Sequence, residues 1–134
     1  MTNLSERLKS LSGLLEKVEK RRQTAINDAL ERLRSITESE PIGAEWDAAW
    51  DTVYFLMPDG LVLVVTQNDI GLLARCHSCG ALFWLSVLGT HLFYVARGYI
   101  PPNTHRCSNY QSSVPSHIID IIRDAPVNIP ELRG

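Results

Sequence analysis

The chain has 134 residues, of which 45% are hydrophobic and 21% charged, and its formal net charge is −2. This length suits one domain with a modest core, and the three cysteines cannot all pair within one chain. No charged-then-apolar signal peptide opens the sequence, so we expect a reducing cytoplasm in which the thiols are free or metal-bound.

Charge is divided unevenly along the sequence. Residues 1–40 hold eight Lys or Arg and seven Asp or Glu, whereas residues 41–134 hold five Arg and eight acidic residues. Phosphate binding draws most of its affinity from neutralised charge. The acidic balance of the second part therefore disfavours autonomous nucleic-acid binding.

Residues 3–39 are predicted to form a long amphipathic helix, because apolar residues recur at helical spacing. The apolar stripe consists of Leu4, Leu8, Leu11, Leu15 and Val18, and it resumes one position out of phase at Ile26, Leu30 and Leu33. The slip at residues 21–23 indicates a kink, a stutter or two helices, as in a helical hairpin. Asn3 and Glu6 suit a capping box at the start, and Pro41 marks the stop.

Two interpretations of this helix stay open. Residues 1–40 form a coiled-coil or docking arm beside a second unit, residues 41–134, or the helix folds onto its own sheet. Its basic side chains are also candidates for contact with nucleic acid, although acids alternate with them as on a solvated face. They are Arg7, Lys17, Lys20, Arg21, Arg22 and Arg32 or Arg34.

The next segments predict a tryptophan-bearing turn and a β-hairpin. A helical turn over residues 45–51 would place Trp46 and Trp50 on one face, for core packing or for docking a partner. The runs TVYFLM and LVLVVT flank the turn PDG, which is typical of a hairpin. LVLVV does not alternate between apolar and polar residues, so this strand should be covered on both faces.

The stretch CHSCG is the most specific chemical signal in the chain. Two thiolates three positions apart can face one side of a tetrahedral Zn²⁺ ion, and Gly80 tolerates the positive φ of such a turn. The other ligands must come from the remaining cysteine and the histidines. These candidates are His77, His91, His105, Cys107 and His117.

The predicted ligands of a structural zinc ion are Cys76, Cys79, His105 and Cys107. If ALFWLSV and HLFYVAR pair as antiparallel strands, His91 lies at the tip of their hairpin. At about 3.3 Å per residue this tip is more than about 20 Å from Cys79, whereas the second strand returns residues 98–107 to the first turn. His91 stays the alternative fourth ligand.

A knuckle, a hairpin and a second knuckle together resemble a zinc ribbon over about residues 72–110. The pattern departs from the commoner one, because the second knuckle usually reads Cys-x-x-Cys and Thr104 stands in the first of those places. Zinc ribbons commonly serve transcription and related machinery. The resemblance therefore implies a subunit or accessory factor of a larger complex, including one that handles nucleic acid.

Other uses of the cysteines fit the sequence less well. A redox pair would need a helix after Cys79, where a strand is predicted, and free thiols buried in an apolar hairpin are the remaining alternative. Four protein ligands leave no open position for catalysis by the metal. The chain also lacks a GxSxG elbow, a phosphate-binding glycine loop and an HExxH pair. We therefore expect no enzymatic activity.

The last part of the chain predicts a short helix and an extended tail. Ser116 is predicted to cap the helix HIIDIIRDA, which Pro126 ends, and VNIPELRG is predicted to be extended. Residues 76–96 carry no charged side chain over 21 positions. Their cysteines, histidines, serines and glycines nevertheless disfavour a membrane span.

These features together predict an α+β fold: a long N-terminal amphipathic helix, a small antiparallel β domain with a zinc-ribbon-like knuckle, and a short C-terminal helix. The expected function is a non-catalytic zinc-binding adaptor or accessory subunit that docks onto a larger protein assembly. A direct nucleic-acid binder that uses the N-terminal helix is the main alternative. A homo-oligomer formed through that helix is a third.

Overall fold

The computed structural model describes residues 4–87, 91–102, 104–105, 107 and 114–134, and of these it leaves out the side chains of residues 4–15 and His91. Three helices and six strands occur within the described residues. In chain order they are α1 (Leu4–Arg34), β1 (Gly43–Asp47), β2 (Thr52–Leu56), β3 (Val62–Val65), β4 (Ile70–Cys76), β5 (Leu82–Ser86), α2 (His91–Arg97), α3 (Ser116–Arg123) and β6 (Glu131–Leu132).

The sheet is mostly antiparallel and follows the chain order. Each of β1 to β5 pairs with the next, and the short β6 pairs in parallel with the end of β4. The β2–β3 hairpin predicted around the PDG turn is present, with Val53 opposite Val65. The predicted α+β class is therefore confirmed, and part of the tail predicted to be extended forms β6.

The helix α1 is one helix that runs without a break through residues 21–23, so the helical-hairpin alternative is wrong. It ends at Arg34 rather than residue 39, and the capping role of Asn3 lies outside the described residues. Within the described part of the chain, every helix is too short or too polar to cross a membrane. The coiled-coil role and the unit boundary at residue 40 stay predictions.

The second half of α1 packs on one face of the sheet. Ala29 and Leu33 are buried there against Val53 and Phe55, which alternate along β2. The opposite face is covered by α3, whose Ile118 and Ile122 are buried in a separate cluster. β3 is accordingly covered on both faces, as its apolar run predicted, since Val64 faces α3 and Val65 faces α1.

The predicted helical turn at residues 45–51 is wrong. Gly43–Asp47 forms the edge strand β1, and residues 48–51 form the turn into β2. Strand alternation sends Trp46 to the α1 face, whereas Trp50 in the turn is 74% exposed. Pairing with β2 gives the segment a ladder of hydrogen bonds that a single helical turn would lack.

The predicted pairing of ALFWLSV with HLFYVAR is also wrong. β5 pairs with β4, residues 91–97 form α2, and the expected hairpin turn at residues 88–90 lies outside the described residues. The helix α2 ends in a Schellman motif: the Gly98 N–H donates to Val95 O at 3.0 Å, and the Tyr99 N–H donates to Tyr94 O at 2.9 Å. Gly98 has φ +78°, so the Arg-Gly pair was the overlooked sequence signal for a helix end.

The start of α3 differs from its prediction by one residue. Pro115 is the N-cap, Ser116 is the first helical residue, and no side chain makes a capping hydrogen bond. The predicted N-cap role of Ser116 is therefore wrong. A proline can hold this position because its extended backbone, with φ −58° and ψ 147°, leads directly into a helix.

Candidate metal centre

The candidate centre begins at the turn between β4 and β5. Cys76 is the last residue of β4 and is 1% exposed. The Gly80 N–H donates to Cys76 O at 2.8 Å, and the Cys76 N–H donates to Ala81 O at 2.9 Å, which closes the turn. Gly80 has φ +74°, a conformation that other residues rarely adopt. This turn places Cys79 beside Cys76, as the sequence predicted.

His105 and Cys107 supply the second half of the cluster. The Ile100 N–H donates to Arg133 O at 2.8 Å, which ties the segment to the C-terminal strand. Beyond it, the Thr104 N–H donates to Pro101 O at 3.2 Å and bends the chain toward the β4–β5 turn. The bend matches the turn expected after the two prolines. It places His105 and Cys107 next to the first pair of thiols.

The four predicted side chains lie together. Cys76 Sγ lies 3.4 Å from Cys107 Sγ, and Cys79 Sγ lies 3.1 Å from His105 Nε2. All four ligand atoms lie within 4.8 Å of one another. A tetrahedral ion with bonds of about 2.0–2.3 Å would separate its ligand atoms by about 3.5–3.8 Å. The four residues are thus close enough to bind one metal ion.

The packing around the cluster orients its side chains. The His105 ring stacks on Phe83 of β5, with centroids 5.3 Å apart and planes 4° from parallel. Cys76 is buried with Phe83 and with Leu132 of β6, and the half-buried Cys79 packs against the same group. Stacking restricts rotation of the imidazole, as supports around metal ligands commonly do. The roles of Phe83 and β6 were missed from the sequence, because neither carries a ligand atom.

The thiols influence one another electrostatically. Burial raises the pKa of Cys76, but hydrogen bonds from the Cys79 and Ser78 backbone N–H groups and from the Cys107 thiol outweigh it, so this pKa lies below its ordinary value. The pKa of Cys107 is raised to about 11, mainly by its hydrogen bond to Cys76 and secondly by burial. One sulfur thus carries negative charge more readily than its neighbour. A divalent cation among them would favour the thiolate form of each.

The other histidines are placed differently. His77 is exposed, and its Nδ1 lies 3.2 Å from Glu131 Oε2 rather than in the cluster. His117 lies on the exposed side of α3. His91 is the first residue of α2, and its side chain is outside the described part of the structure. Of the candidates for a fourth ligand, His105 is the one that the described side chains bring to the three cysteines.

A search for related proteins gives no match among family models, curated proteins or solved structures. The function of the chain must therefore be inferred from the geometry and chemistry of its own residues.

Proposed function

We propose that this protein is a non-catalytic zinc-binding adaptor or accessory subunit that docks onto a larger protein assembly. The observation that carries the proposal is the convergence of Cys76, Cys79, His105 and Cys107 within 4.8 Å. Three sulfurs and one imidazole nitrogen are a donor set that suits tetrahedral Zn²⁺. Because all four positions are taken by protein atoms, the ion would be structural, as in a zinc-ribbon-like knuckle.

The position of the cluster supports a structural role for the metal. It brings the β4–β5 turn together with His105 and Cys107, and Cys76 and Cys107 are 31 positions apart in the chain. A metal bond between such distant segments adds binding free energy to the free energy of folding. The small core beside the cluster gains most from it, since it consists of few residues. They are Ala74, Cys76, Phe83, Leu85 and Leu132.

An exposed apolar face lies next to this cluster, on α2 and on Tyr99 two residues after its end. Leu92, Phe93 and Tyr99 are 50%, 56% and 56% exposed, although all three are large and hydrophobic. Val95 on the other side of α2 packs against the core around the cysteines. Exposed aromatic side chains on a rigid element are typical of docking surfaces. We propose that the partner contacts this face, which we call the α2 face.

Direct nucleic-acid binding through α1 is less well supported. Several of its basic side chains are engaged within the chain: Arg32 donates to the carbonyl oxygens of Thr66 and Asp69, and Arg34 pairs with Glu40 at 2.9 Å. Arg21 lies over the ring of Trp46 at 5.8 Å, and Arg22 pairs with Glu19. Charges held in this way are less available for phosphates.

Metal content tests the first half of the proposal. The full chain is purified without added metal, and zinc per chain is measured by elemental analysis for the wild type, Cys107→Ser and His77→Ala. We expect about one zinc ion per chain in the wild type and in His77→Ala, which removes an exposed histidine outside the cluster. Cys107→Ser should lose most of its zinc. A wild type without metal, or equal zinc in all three proteins, would contradict the ligand set.

Assembly size tests the second half. A tagged full chain is expressed at its natural level, and its native extract is separated by size before and after nuclease treatment. We expect the 15.0 kDa chain to elute with a much larger assembly. The double change Leu92→Ser with Phe93→Ser should release it, whereas Ile36→Ser, a change at another exposed apolar residue beyond the end of α1, should not. Release by nuclease alone would favour the nucleic-acid alternative instead.

A further inference from the structure

A cavity of about 670 Å³ lies on the α3 face of the sheet, on the side opposite to the α1 face. It is closed at one end by residues 66–68, the turn between β3 and β4. Since the Cys/His cluster lies at the turn between β4 and β5, the cavity is at the other end of the sheet. Its volume falls in the range of about 300–1,000 Å³ that is usual for small-molecule sites. Its walls include Asp47, Trp50, Thr52, Tyr54, Trp84 and Val114.

A buried carboxylate forms part of the cavity wall. Asp47 is 4% exposed, and its Oδ1 accepts a hydrogen bond from the Ala49 N–H at 3.2 Å. Its Oδ2 is buried and has no hydrogen-bond partner among the described residues. A buried carboxylate oxygen left without a donor destabilises the fold, because its lost hydration is not replaced. Asp47 lines the cavity, so its carboxylate stands in the wall, and a small shift of the wall is needed for a ligand's donor to reach Oδ2.

The carboxylate of Asp47 has no cationic side chain to balance it among the described residues of the cavity, and the neighbouring phenol of Tyr54 is uncharged. Burial, and then the charge of Asp47, raise the pKa of Tyr54 to about 12. Its hydroxyl is therefore neutral at physiological pH. No Lys, Arg or His is among the described residues that line the cavity. Its charge is therefore negative, which favours a cation.

Two indole rings provide the apolar and electron-rich part of the cavity. Trp84 of β5 lies directly over Gly71 of β4: a Cβ at this glycine would be 2.3 Å from Trp84 Cε3, so only glycine leaves room for the ring. Trp50 is 74% exposed and lines the same cavity. The faces of indole rings attract organic cations.

The rim of the cavity is held by hydrogen bonds. Asp51, next to Trp50, accepts one bond from Trp46 Nε1 at 3.1 Å and another from Gln67 Nε2 at 3.2 Å. The bond from Gln67 joins the β1–β2 turn to the β3–β4 turn. The two turns at the rim are thus held together, which limits the entropy lost on binding.

We propose that this cavity binds an organic cation with an alkylammonium or alkylguanidinium group, whose N–H donates to Asp47 Oδ2 and whose charge contacts Trp50 and Trp84. The hydrogen-bond donor satisfies the buried oxygen, and the positive charge offsets the carboxylate. Such a group occurs on free amines and on the lysine and arginine side chains of other proteins. This site lies at the opposite end of the sheet from the cysteine cluster and shares no residue with it.

Binding is tested by NMR on the isotope-labelled, zinc-loaded full chain, with the indole N–H signals of Trp50 and Trp84 as the readout. The probes are n-butylammonium, n-propylguanidinium, butyltrimethylammonium and neutral n-butanol. We expect the first two to bind about tenfold more tightly than the last two, since only they combine charge with an N–H donor. Equal binding of the quaternary ion, or no change with any probe, would overturn the proposal.

The source of the cation is distinguished by a capped tripeptide, acetyl-Gly-Lys-Gly-amide. Binding as tight as that of n-butylammonium supports recognition of a protein side chain at this site. Weaker binding of the peptide supports a free amine. Both results agree with binding of an ammonium group, which the other probes test.

Variants locate the binding site. Asp47→Asn keeps the shape of the side chain and should weaken n-butylammonium binding about tenfold or more, while resistance to urea stays equal or increases because an unpaired charge is removed. Glu38→Gln makes the same charge change at an exposed position and should leave binding unaltered. Trp50→Ala, which removes an exposed ring, should weaken binding about two- to fivefold with the fold intact. Equal effects of Asp47→Asn and Glu38→Gln would reject the site.

Discussion

Phe83 and His105 form an offset parallel stack, with ring centroids 5.3 Å apart and planes 4° from parallel. Phe83 belongs to β5 and is 2% exposed, so its ring is fixed by the sheet. The stack therefore links the orientation of the His105 ring to the core. The Nε2 atom of this ring lies 3.1 Å from Cys79 Sγ. A core residue without a ligand atom thereby sets the geometry of the proposed zinc ligand.

Replacing Phe83 should weaken metal binding beyond its effect on stability. Phe83→Leu removes the stacked ring, and we expect a loss of about 1–2 kcal/mol in the free energy of unfolding together with about tenfold weaker zinc affinity. Zinc affinity is measured by competition with a chromophoric chelator. Phe55→Leu is the control, because Phe55 is equally buried but belongs to the cluster under α1. Similar zinc affinities for the two variants would show that the stack has no special role.

The two neighbouring histidine candidates should respond differently to substitution. His105→Ala removes a proposed ligand and should release most of the zinc, with a lower melting temperature. His77→Ala affects only an exposed pair with Glu131 and should change stability by less than about 0.5 kcal/mol. Thermal unfolding and elemental analysis of both proteins test this difference. Loss of zinc in His77→Ala, with retention in His105→Ala, would exchange their roles.

Gly80 should be required for its backbone conformation rather than for space. It has φ +74°, and nothing lies within 4 Å of where a Cβ would be. Gly80→Ala should therefore cost about 1–2 kcal/mol of folding free energy, and Gly80→Asn less, because asparagine tolerates this region better. Urea unfolding with zinc present measures both costs. An alanine variant as stable as the wild type would mean that the turn can relax.

The second half of α1 should contribute to the stability of the sheet. Leu33 is 0% exposed in the cluster with Val53 and Phe55, so Leu33→Ala should cost about 2–5 kcal/mol. Val18 in the same helix is 47% exposed, and Val18→Ala should change stability by less than about 0.5 kcal/mol. Chemical unfolding followed by tryptophan fluorescence compares the variants. Equal and small effects would indicate a helix that acts independently of the sheet.

Stability should fall in alkaline solution because of Tyr54. Its pKa is raised from 10.0 to about 12, mainly by burial. The folded state therefore holds this proton more tightly than the unfolded state. The stabilisation is complete below pH 10 and is lost as the pH rises towards 12, by an amount on the order of 2 kcal/mol. Urea unfolding of wild type and Tyr54→Phe at several pH values measures the difference, and a constant difference would contradict the prediction.

Local sequence patterns were sufficient to predict the structure of segments that short-range interactions determine. The PDG turn between two β-rich runs predicted the β2–β3 hairpin, because loop length and strand propensity fix such a pair locally. The CHSCG stretch likewise predicted the turn that holds Cys76 and Cys79. The bend expected after the two prolines predicted that His105 and Cys107 can point to the same side as a second pair of metal ligands. Their meeting with the first pair depended on the rest of the chain.

Strand and helix assignments failed where partners decide the structure. Residues 91–97 have strand-forming side chains, yet they form α2, which ends in a Schellman motif at Gly98 and packs Val95 onto the core. A helical turn was predicted over residues 45–51, but the edge of β2 offers residues 43–47 a ladder of hydrogen bonds. Propensity is a weak guide in both cases, because tertiary contacts outweigh it.

The sequence by itself determined the chemistry that is available: three thiols, four histidines, a long amphipathic helix and a hairpin. The tertiary structure decided that His105 rather than His77 faces the cysteines, and that Asp47 and two tryptophans share one cavity. The physical reason is that ligand geometry and burial arise from contacts between segments far apart in the chain. No local pattern encodes the distance between such segments.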